Sequence, residues 1–439
     1  MKWFYINRFG NRLLSSSILE RISALLGACV ITGLLTVYSY AATTIDVAVV
    51  WGPGNVNYEG IHDAVVAFEA ANPDIKVQLI SGYGVDKFQV ALASGVAPDV
   101  YHGGDTNIKD WIIMGWAEDI TEYIERDPTL SPEDYLTPAW IRSVHDGKVW
   151  GIPLEAGPAF ALFSNVQHFQ EVGLSIPRTI EELEEVNQKL VRETTDGGYQ
   201  RMGIIPWDII GRLGNGMFAW GWAFGGSLYD EELQRVTPLD DGVVAALEWL
   251  AGFNERYPQP TVDSSIPGSA QPRFAQGRVS MMLGITQTVA GLAAQAPDMV
   301  YEISEPPSVP GATNPMWIGG HTIFIANGSK QIPEAYRFLK FVGGTPHGSG
   351  ILSLKGGFLP AYRYSDVLDV YAKDPKMQRL IELSQTSTHV RARIPAVFEY
   401  NEALRRAAEA VLAGEKLPRQ ALGEVQVEIQ PKVDALLGR

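Results

Sequence analysis

A strand, a helix and a second strand follow one another near the start of the chain. Residues 45–51 are a β-branched, apolar run that ends at the turn sequence Gly-Pro-Gly, which predicts a buried strand. Residues 61–71 repeat apolar side chains at helical spacing, and residues 75–80 are again rich in β-branched residues. This order predicts a parallel βαβ unit and therefore an α/β fold.

Strand and helix patterns alternate through the rest of the chain. A helix is predicted at 87–94 and a short strand at 98–101. Further helices are predicted at 180–194, 241–257, 332–342, 375–386, 401–412 and 419–437. The chain has 439 residues, too many for one ordinary core, and carries no low-complexity linker or internal repeat. It is therefore predicted to form two interleaved lobes.

Residues 1–41 have the pattern of an export signal. Lys2, Arg8 and Arg12 precede a long uncharged, apolar run, and the small residues Ser39 and Ala41 predict cleavage after Ala41. Two alternatives stay open: the run is long enough to remain as a membrane anchor, and the sequence before Cys29 is similar to a lipoprotein signal. All three predict an exported protein, in the periplasm or on the extracytoplasmic face of the membrane.

The charge and the motifs that are missing exclude several kinds of function. The full chain has a net charge of −15, and removal of residues 1–41 takes away four basic residues and Glu20, which leaves about −18. Nucleic acid is therefore not an expected partner. The seven histidines have no metal-binding spacing, and no P-loop, Rossmann fingerprint or Gly-x-Ser-x-Gly motif occurs, so no cofactor is predicted.

Eight short motifs occur in order along the chain. They are Trp51 at the end of the first strand, FEAANPDIKV at 68–77, ASGVAPDV at 93–100, DGKVWGIP at 146–153, LFSN at 162–165, IPRTIEEL at 176–183, FAQGRVSMM at 274–282 and SKQIPEAYRFLKF at 329–341. Together they resemble extracellular solute-binding protein family 1, the sugar-binding subunits of ABC importers that include the maltose-binding type. Ser164 departs from the Tyr that is usual in this family, and Ile180 from the usual Trp.

The resemblance implies an α/β fold of the periplasmic-binding-protein type II kind, with two interleaved lobes, a hinge and a ligand cleft between the lobes. Residues 42–154 and 316–352 are expected to form lobe 1, and residues 155–315 and 353–439 lobe 2. The implied function is to bind a carbohydrate, as a monomer and without catalysis, and to deliver it to the permease subunits of an ABC transporter by hinge closure.

Aromatic and polar residues at predicted strand ends are the lobe 1 site candidates, because sugars offer apolar faces to rings and hydroxyls to polar groups. Trp51 follows the first strand, Tyr83 the second and Asp105 the third. Trp51 has an alternative role as a core residue, and Asp105 as a helix cap. His102 is a weaker candidate.

Further candidates come from the crossing segments and from lobe 2. Glu155 follows a predicted hinge strand, with an exposed loop position as its alternative. Several glycines surround Trp207, Trp220 and Trp222, which predicts an open aromatic surface. Because residues two apart on a helix point in different directions, either Trp220 or Trp222 should be a core residue. The remaining candidates are Trp207, Trp220, Trp222, Trp317, Gly319, Gly320, His321 and Phe358. Arg391 and Arg393 are expected on the solvated surface, with binding of a carboxylate or phosphate of a charged ligand as their alternative.

Two other function classes stay open on the sequence alone. An exported glycoside-active enzyme requires two facing carboxylates, and a chain with fifty acidic residues supplies such pairs by composition. A membrane-tethered ligand-sensing receptor has the same lobes and cleft but keeps its N-terminal apolar segment.

Overall fold

Strands and helices alternate through the first part of the structure. The computed structural model describes residues 42–104, 108–195, 197–209, 212–258, 270–312, 314–387, 389–391 and 394–439. The strands are β1 (Thr43–Val49), β2 (Ile75–Ile80), β3 (Val100–Gly104), β4 (Val144–His145), β5 (Lys148–Val149), β6 (Ile152–Pro153), β7 (Gly157–Ala159), β8 (Ala161–Asn165), β9 (Arg192–Glu193), β10 (Tyr199–Arg201), β11 (Tyr229–Asp230), β12 (Arg235–Val236), β13 (Met281–Gly284), β14 (Tyr301–Ser304), β15 (Trp317–Gly319) and β16 (His321–Ile325).

Helices connect and cover these strands. They are α1 (Val56–Ala71), α2 (Val85–Ala93), α3 (Ile108–Ile113), α4 (Thr121–Arg126), α5 (Thr137–Trp140), α6 (Val166–Val172), α7 (Ile180–Leu190), α8 (Arg212–Ala223), α9 (Asp241–Arg256), α10 (Ala270–Ala275), α11 (Thr288–Gln295), α12 (Ile332–Gly344), α13 (Pro346–Gly356), α14 (Val367–Tyr371), α15 (Pro375–Thr386), α16 (Val397–Leu412) and α17 (Pro418–Leu436). The predicted signal segment with Cys29, and also Asp105 and Arg393, lie outside the described residues.

The predicted βαβ order is confirmed in the sheet of lobe 1, whose strand order is β2-β1-β3-β16-β6. Strand β1 is parallel to β3, and β16 runs antiparallel to β3. Helix α1 begins earlier than predicted because Asn55 caps it, accepting a hydrogen bond from the Asn57 amide at 2.9 Å. Helices α1, α12 and α13 pack together beside the sheet, and their apolar residues share one core with β1 and β16.

The other face of this sheet carries an aromatic core. The rings of Phe88 on α2 and Tyr101 on β3 are stacked at 4.1 Å, and Phe324 on β16 packs against both. Trp111 on α3 completes the group. Burial of each such ring contributes about 1.5–3 kcal/mol, so α2 and α3 are held firmly on lobe 1.

Lobe 2 is built on a smaller sheet and a larger helical core. Strand β8 lies between β13 and β14 and is antiparallel to both. Helices α8, α9, α16 and α17 pack against one another in the largest hydrophobic core of the described chain. Asp240 caps α9 by accepting from the Gly242 amide, which agrees with the acidic start predicted for this helix.

The chain changes core at three places. Buried residues belong to the lobe 1 core up to Ala156 and to lobe 2 from Ala159, and the change recurs between Trp317 and Ile318. The third predicted boundary, at residue 352, falls inside α13, where Leu352 packs in the lobe 1 core; the chain changes core later, around residues 359–362. We propose a lobe division whose third boundary lies near residue 360.

The glycine-rich segment around Trp220 differs from its prediction. Residues 212–223 form helix α8, and its glycines permit close packing instead of leaving an open surface. A Cβ atom at Gly214 would lie 2.5 Å from the backbone oxygen of Asn401 on α16, and one at Gly221 would lie 3.1 Å from Leu228. Small residues at these contacts allow the helix to be buried.

Candidate functional site

Three aromatic rings meet at the edge of the lobe 1 sheet where β1 and β3 end. The centroid of Trp51 lies 4.1 Å from that of His102 and 4.9 Å from that of His321, and the two histidine rings are 4.8 Å apart. His321 pairs with Gly104, so β16 begins where β3 ends. Trp51 and His321 remain partly exposed. Open α/β sheets bind ligands at this edge, outside the carboxyl ends of their strands.

His102 is the enclosed member of this group. Its side chain is fully buried, and neither ring nitrogen has a hydrogen-bond partner among the described residues. Burial, and secondly the neighbouring His321, hold the pKa of His102 well below its usual range. A neutral imidazole therefore supports the inner face of Trp51.

His321 is fixed by a contact from the crossing segment. Its Nδ1 is hydrogen-bonded to Oε1 of Glu155, a buried carboxylate, and the Arg142 guanidinium donates to the backbone oxygen of Glu155. Gly320 has φ +150°, and a Cβ atom there would lie 2.3 Å from the same backbone oxygen. Only glycine permits this approach, which explains why a glycine precedes His321. Glu155 is thus not the exposed loop residue of the alternative interpretation.

A second aromatic group belongs to lobe 2. Trp222 is stacked on His389, with centroids 4.2 Å apart and 6° between the planes, and it meets the Trp317 ring edge-on at 5.6 Å. The Ile318 amide donates to the backbone oxygen of His389 at 3.2 Å, so the crossing strand β15 holds His389 in position. Burial lowers the pKa of His389 to about 4, which keeps this ring neutral as well.

Arg391 packs against this group. The prediction that it lies on the solvated surface is wrong. Its side chain is buried, and the guanidinium lies 4.9 Å from the centroid of Trp317 and 5.5 Å from that of Phe218. It also donates to the side-chain oxygen of Asn215 on α8. Gly319 lies beside the same indole, where a Cβ atom would be at an ordinary contact distance of 3.4 Å from Nε1 of Trp317.

Trp222 and His389 line a cavity of about 280 Å³. Ile141 of lobe 1 closes one side, and the other lining residues are Gly226, Ser227, Leu228, Tyr229, Glu231, Val390 and Ile394. The Tyr229 hydroxyl is buried, without a partner among the described residues, and burial raises the pKa of Tyr229 to about 12. The cavity therefore combines a flat aromatic wall with hydroxyl and carboxylate groups.

Four predicted site residues lie in the cores instead: Trp207, Trp220, Trp317 and Phe358. Trp222 is also largely buried, but it lines the cavity. Trp207 is buried against Phe253, and Trp220 donates its indole N–H to the Pro206 backbone oxygen at 2.8 Å. Phe358 fills the lobe 1 core, where the absence of a side chain at Gly356 makes room for its ring. These rings are covered on all sides by packing, so we leave them out of the proposed site.

Tyr83 follows Gly82, whose amide donates to the Trp51 backbone oxygen at 2.8 Å, but within the described residues its ring contacts Tyr101 and not the rings of either aromatic group. It is half-buried, its backbone oxygen accepts from the Tyr101 hydroxyl at 3.2 Å, and it packs at the margin of the aromatic core under α2. Asp105 lies outside the described residues. Sequence reasoning missed His389 and Tyr229; a turn, Gly225 to Ser227, precedes Tyr229 and was the available signal, whereas no pattern marks His389.

Membrane-spanning helices and metal-binding clusters are absent from the described residues: no helix there is long and apolar enough to span a membrane, and no cluster of three possible metal ligands occurs. A larger groove, about 1170 Å³, lies on lobe 2 beside α6, α7 and β14. None of the predicted site residues that the structure describes lines this groove, so its size does not connect it to the cleft.

Comparisons with known proteins agree with this architecture. A binding protein of Brucella abortus (strain 2308) is 23% identical over 381 residues, which cover 84% of this chain and 88% of the relative. The solved structure of CpMnBP1 with mannotriose bound has a TM-score of 0.74 at 22% identity and covers 88% of this chain and 99% of its own. An ABC substrate-binding protein of Listeria monocytogenes in complex with cycloalternan has a TM-score of 0.73 at 20% identity, covering 90% and 99%.

The fold is thus that of the type II periplasmic binding proteins, as the sequence resemblance implied. The family model for bacterial extracellular solute-binding proteins matches residues 52–347, well over half of the chain. That span begins directly after Trp51 and includes all strands of the lobe 2 sheet and the four strands of the lobe 1 sheet other than β1. This chain belongs to the bacterial extracellular solute-binding protein family.

Proposed function

We propose that this chain is the substrate-binding protein of an ABC importer and that it binds a carbohydrate in the cleft between its lobes. The observation that carries the proposal is the pair of aromatic surfaces, Trp51 from lobe 1 and Trp222 from lobe 2, each backed by a histidine ring. Rings of this kind bind the C–H faces of sugars. The sugar-bound neighbours described above support the same ligand class.

The polar groups of the site favour a neutral sugar over a sugar acid or phosphate. His102 and His389 both have lowered pKa values and carry no charge at neutral pH. Arg391 is engaged with Asn215 and the Trp317 ring. The hydroxyl of Tyr229 and the carboxylates of Glu155 and Glu231 are hydrogen-bonding partners for sugar hydroxyls.

The proposed mechanism is binding followed by hinge closure. Sugar docks on one lobe, the crossing segments bend, and the ring of the other lobe covers the second sugar face. The closed protein, a monomer outside the cytoplasm, then delivers the sugar intact to the permease subunits. Micromolar affinity corresponds to a binding free energy of about 8 kcal/mol. Two stacked rings and several hydrogen bonds are interactions of the kind that provide it.

Titration with a ligand panel tests the proposal. Mono- and oligosaccharides, including mannotriose and cycloalternan, are added alongside sugar acids and glycerophosphates while tryptophan fluorescence and calorimetry are followed. We expect saturable binding of a neutral sugar that is recovered unchanged. Trp51→Ala should weaken it about tenfold, whereas Trp116→Phe, on the other face of the sheet, should leave it unchanged.

The other outcomes would each contradict a stated part of the proposal. Conversion of the sugar to products would make the chain a glycoside-active enzyme. Binding without conversion by a chain that keeps its N-terminal apolar segment in cells would favour the tethered receptor. Binding of sugar acids alone, or of no compound in the panel, would overturn the neutral carbohydrate assignment and leave the family membership intact.

A further inference from the structure

One buried hydrogen bond joins a helix of lobe 1 to a helix of lobe 2. The backbone N–H of Ala396 donates to Oδ1 of Asp110 at 2.8 Å. Asp110 lies on α3, whose neighbouring residues Ile108 and Trp111 pack in the aromatic core of lobe 1, and its side chain is buried. Ala396 belongs to the lobe 2 core and directly precedes α16. The bond therefore exists only while the two lobes are in contact.

The same N–H has a second acceptor within reach of its own helix. Ala396 is the N-cap residue of α16 and has no side-chain cap, and Glu399 is the third residue of the helix. A Glu at this position commonly reaches back to accept a hydrogen bond from the N-cap backbone N–H. Here Glu399 is exposed, and Asp110 of the other lobe occupies that position.

We propose that Asp110 is a positioning residue that holds the lobes closed, and that Glu399 replaces it as the partner of the Ala396 N–H when the lobes separate. The inference rests on the proposed function, since it assigns to one residue the closure that traps the ligand. Both states then satisfy the N–H, which would otherwise lose a hydrogen bond on opening. Exchange of one acceptor for the other lets the cleft open without leaving the start of α16 unsatisfied.

The environment of Asp110 links closure to pH. Burial raises the pKa of Asp110 to about 7; the Ala396 hydrogen bond opposes this, Glu399 adds to it and Lys109 on the same helix reduces it. The segment at residues 141–143 also packs against α3, and its Arg142 is directed to the backbone oxygen of Glu155.

The direction of the pH effect follows from the two states. In the open protein water reaches the Asp110 carboxyl, whose pKa then returns towards its ordinary value of 3.8. Between pH 3.8 and about 7 the closed form binds a proton that the open form does not. The closed fraction therefore rises as pH falls through this window and is lowest above pH 7.

Closure can be measured directly with two spin labels. Val90→Cys on α2 and Val427→Cys on α17 place labels on exposed positions of the two lobes, in a Cys29→Ser background that removes the one natural thiol. Pulsed electron resonance then gives the fraction of molecules with the short distance, without any ligand. We expect this fraction to stay constant from about pH 8.5 down to about 7 and to rise as pH is lowered further to about 5.5.

Three variants separate the proposed role from a general effect on folding. Asp110→Asn keeps an acceptor for the Ala396 N–H but does not titrate, so its closed fraction should not change with pH. Asp110→Ala removes the acceptor, and its ratio of closed to open molecules should be about tenfold lower than that of Asp110→Asn at every pH. Glu399→Ala removes the alternative acceptor and should raise that ratio. Asp369→Asn, an exposed carboxylate on α14, is the matched control and should behave as the wild type.

The inference is overturned if the closed fraction of the wild type does not change with pH, or if Asp110→Asn and Asp110→Ala have the same effect. Because the labels report closure without ligand, this result is independent of the sugar panel. Failure of every sugar to bind would contradict the proposed ligand while leaving a measured pH-dependent closure in place.

Discussion

The rings of Trp222 and His389 lie face to face, with centroids 4.2 Å apart and 6° between their planes. A parallel contact of this kind covers one face of the indole and fixes its orientation. Trp222 also lines the cavity that Ile141 closes from lobe 1. The indole is thus held by lobe 2 at a surface that lobe 1 completes.

Replacement of Trp222 tests whether this surface binds the ligand. We expect Trp222→Ala to weaken sugar binding about tenfold or more, because stacking and burial of an aromatic ring contribute about 1–2 kcal/mol. Calorimetry on the sugar found by titration measures the change. Trp220→Phe is the control: it removes the hydrogen bond to Pro206 in the core, so it should lower stability and leave the affinity of the folded protein within about twofold.

The buried neutral imidazole of His389 makes folding sensitive to acid. Its pKa is about 4 in the folded protein against an ordinary 6.5, so between these values the unfolded chain binds a proton that the folded protein does not. The free energy of unfolding should therefore fall as pH is lowered from 6.5 to 4, by at most about 1.4 kcal/mol per pH unit from this group. His102 adds a contribution of the same sign.

Denaturant unfolding at a series of pH values measures this loss. His389→Gln should reduce the slope of stability against pH in that window, because glutamine does not titrate. Equal slopes for the variant and the wild type would show that His389 is already protonated in the folded state or that it is not buried there.

The sequence predicts elements well where local signals define their ends. Helix α15 and strand β2 have their predicted bounds; in α15 Asp374 accepts from the Lys376 amide and Pro375 occupies the first turn. Helix α8 was missed because its glycines lower helix propensity, and packing against α9 and α16 overrides that tendency.

The site is less predictable because tertiary packing decides which side chains reach it. Trp220 and Trp222 are two residues apart on α8, and only the neighbouring helices determine that Trp220 faces the core. His389 becomes part of the site through a hydrogen bond with β15, more than seventy residues earlier in the chain. A sequence pattern carries no information on such a contact.

The glycine before His321 tests the geometry of the crossing segments. Gly320→Ala places a Cβ atom 2.3 Å from the Glu155 oxygen at φ +150°, and we expect a loss of more than about 2 kcal/mol in the free energy of unfolding. Gly319→Ala is the matched control, since its nearest contact is 3.4 Å and its change should stay within about 1 kcal/mol. Thermal unfolding compares the two; equal effects would contradict the close approach at Gly320.

Two glycines on the same helix should respond in opposite directions. Gly214→Ala would bring a Cβ atom to 2.5 Å from the Asn401 backbone oxygen, so α8 and α16 must separate and stability should fall by about 1–3 kcal/mol. At Gly216 the nearest atom is 3.5 Å away, and Gly216→Ala should stabilise the protein by about 0.5–1 kcal/mol, because alanine loses less backbone entropy in a helix. Denaturant unfolding measures both. Stabilisation by both substitutions would mean that α8 does not pack tightly on α16, and the enclosure of Trp220 in the core would then lose its physical basis.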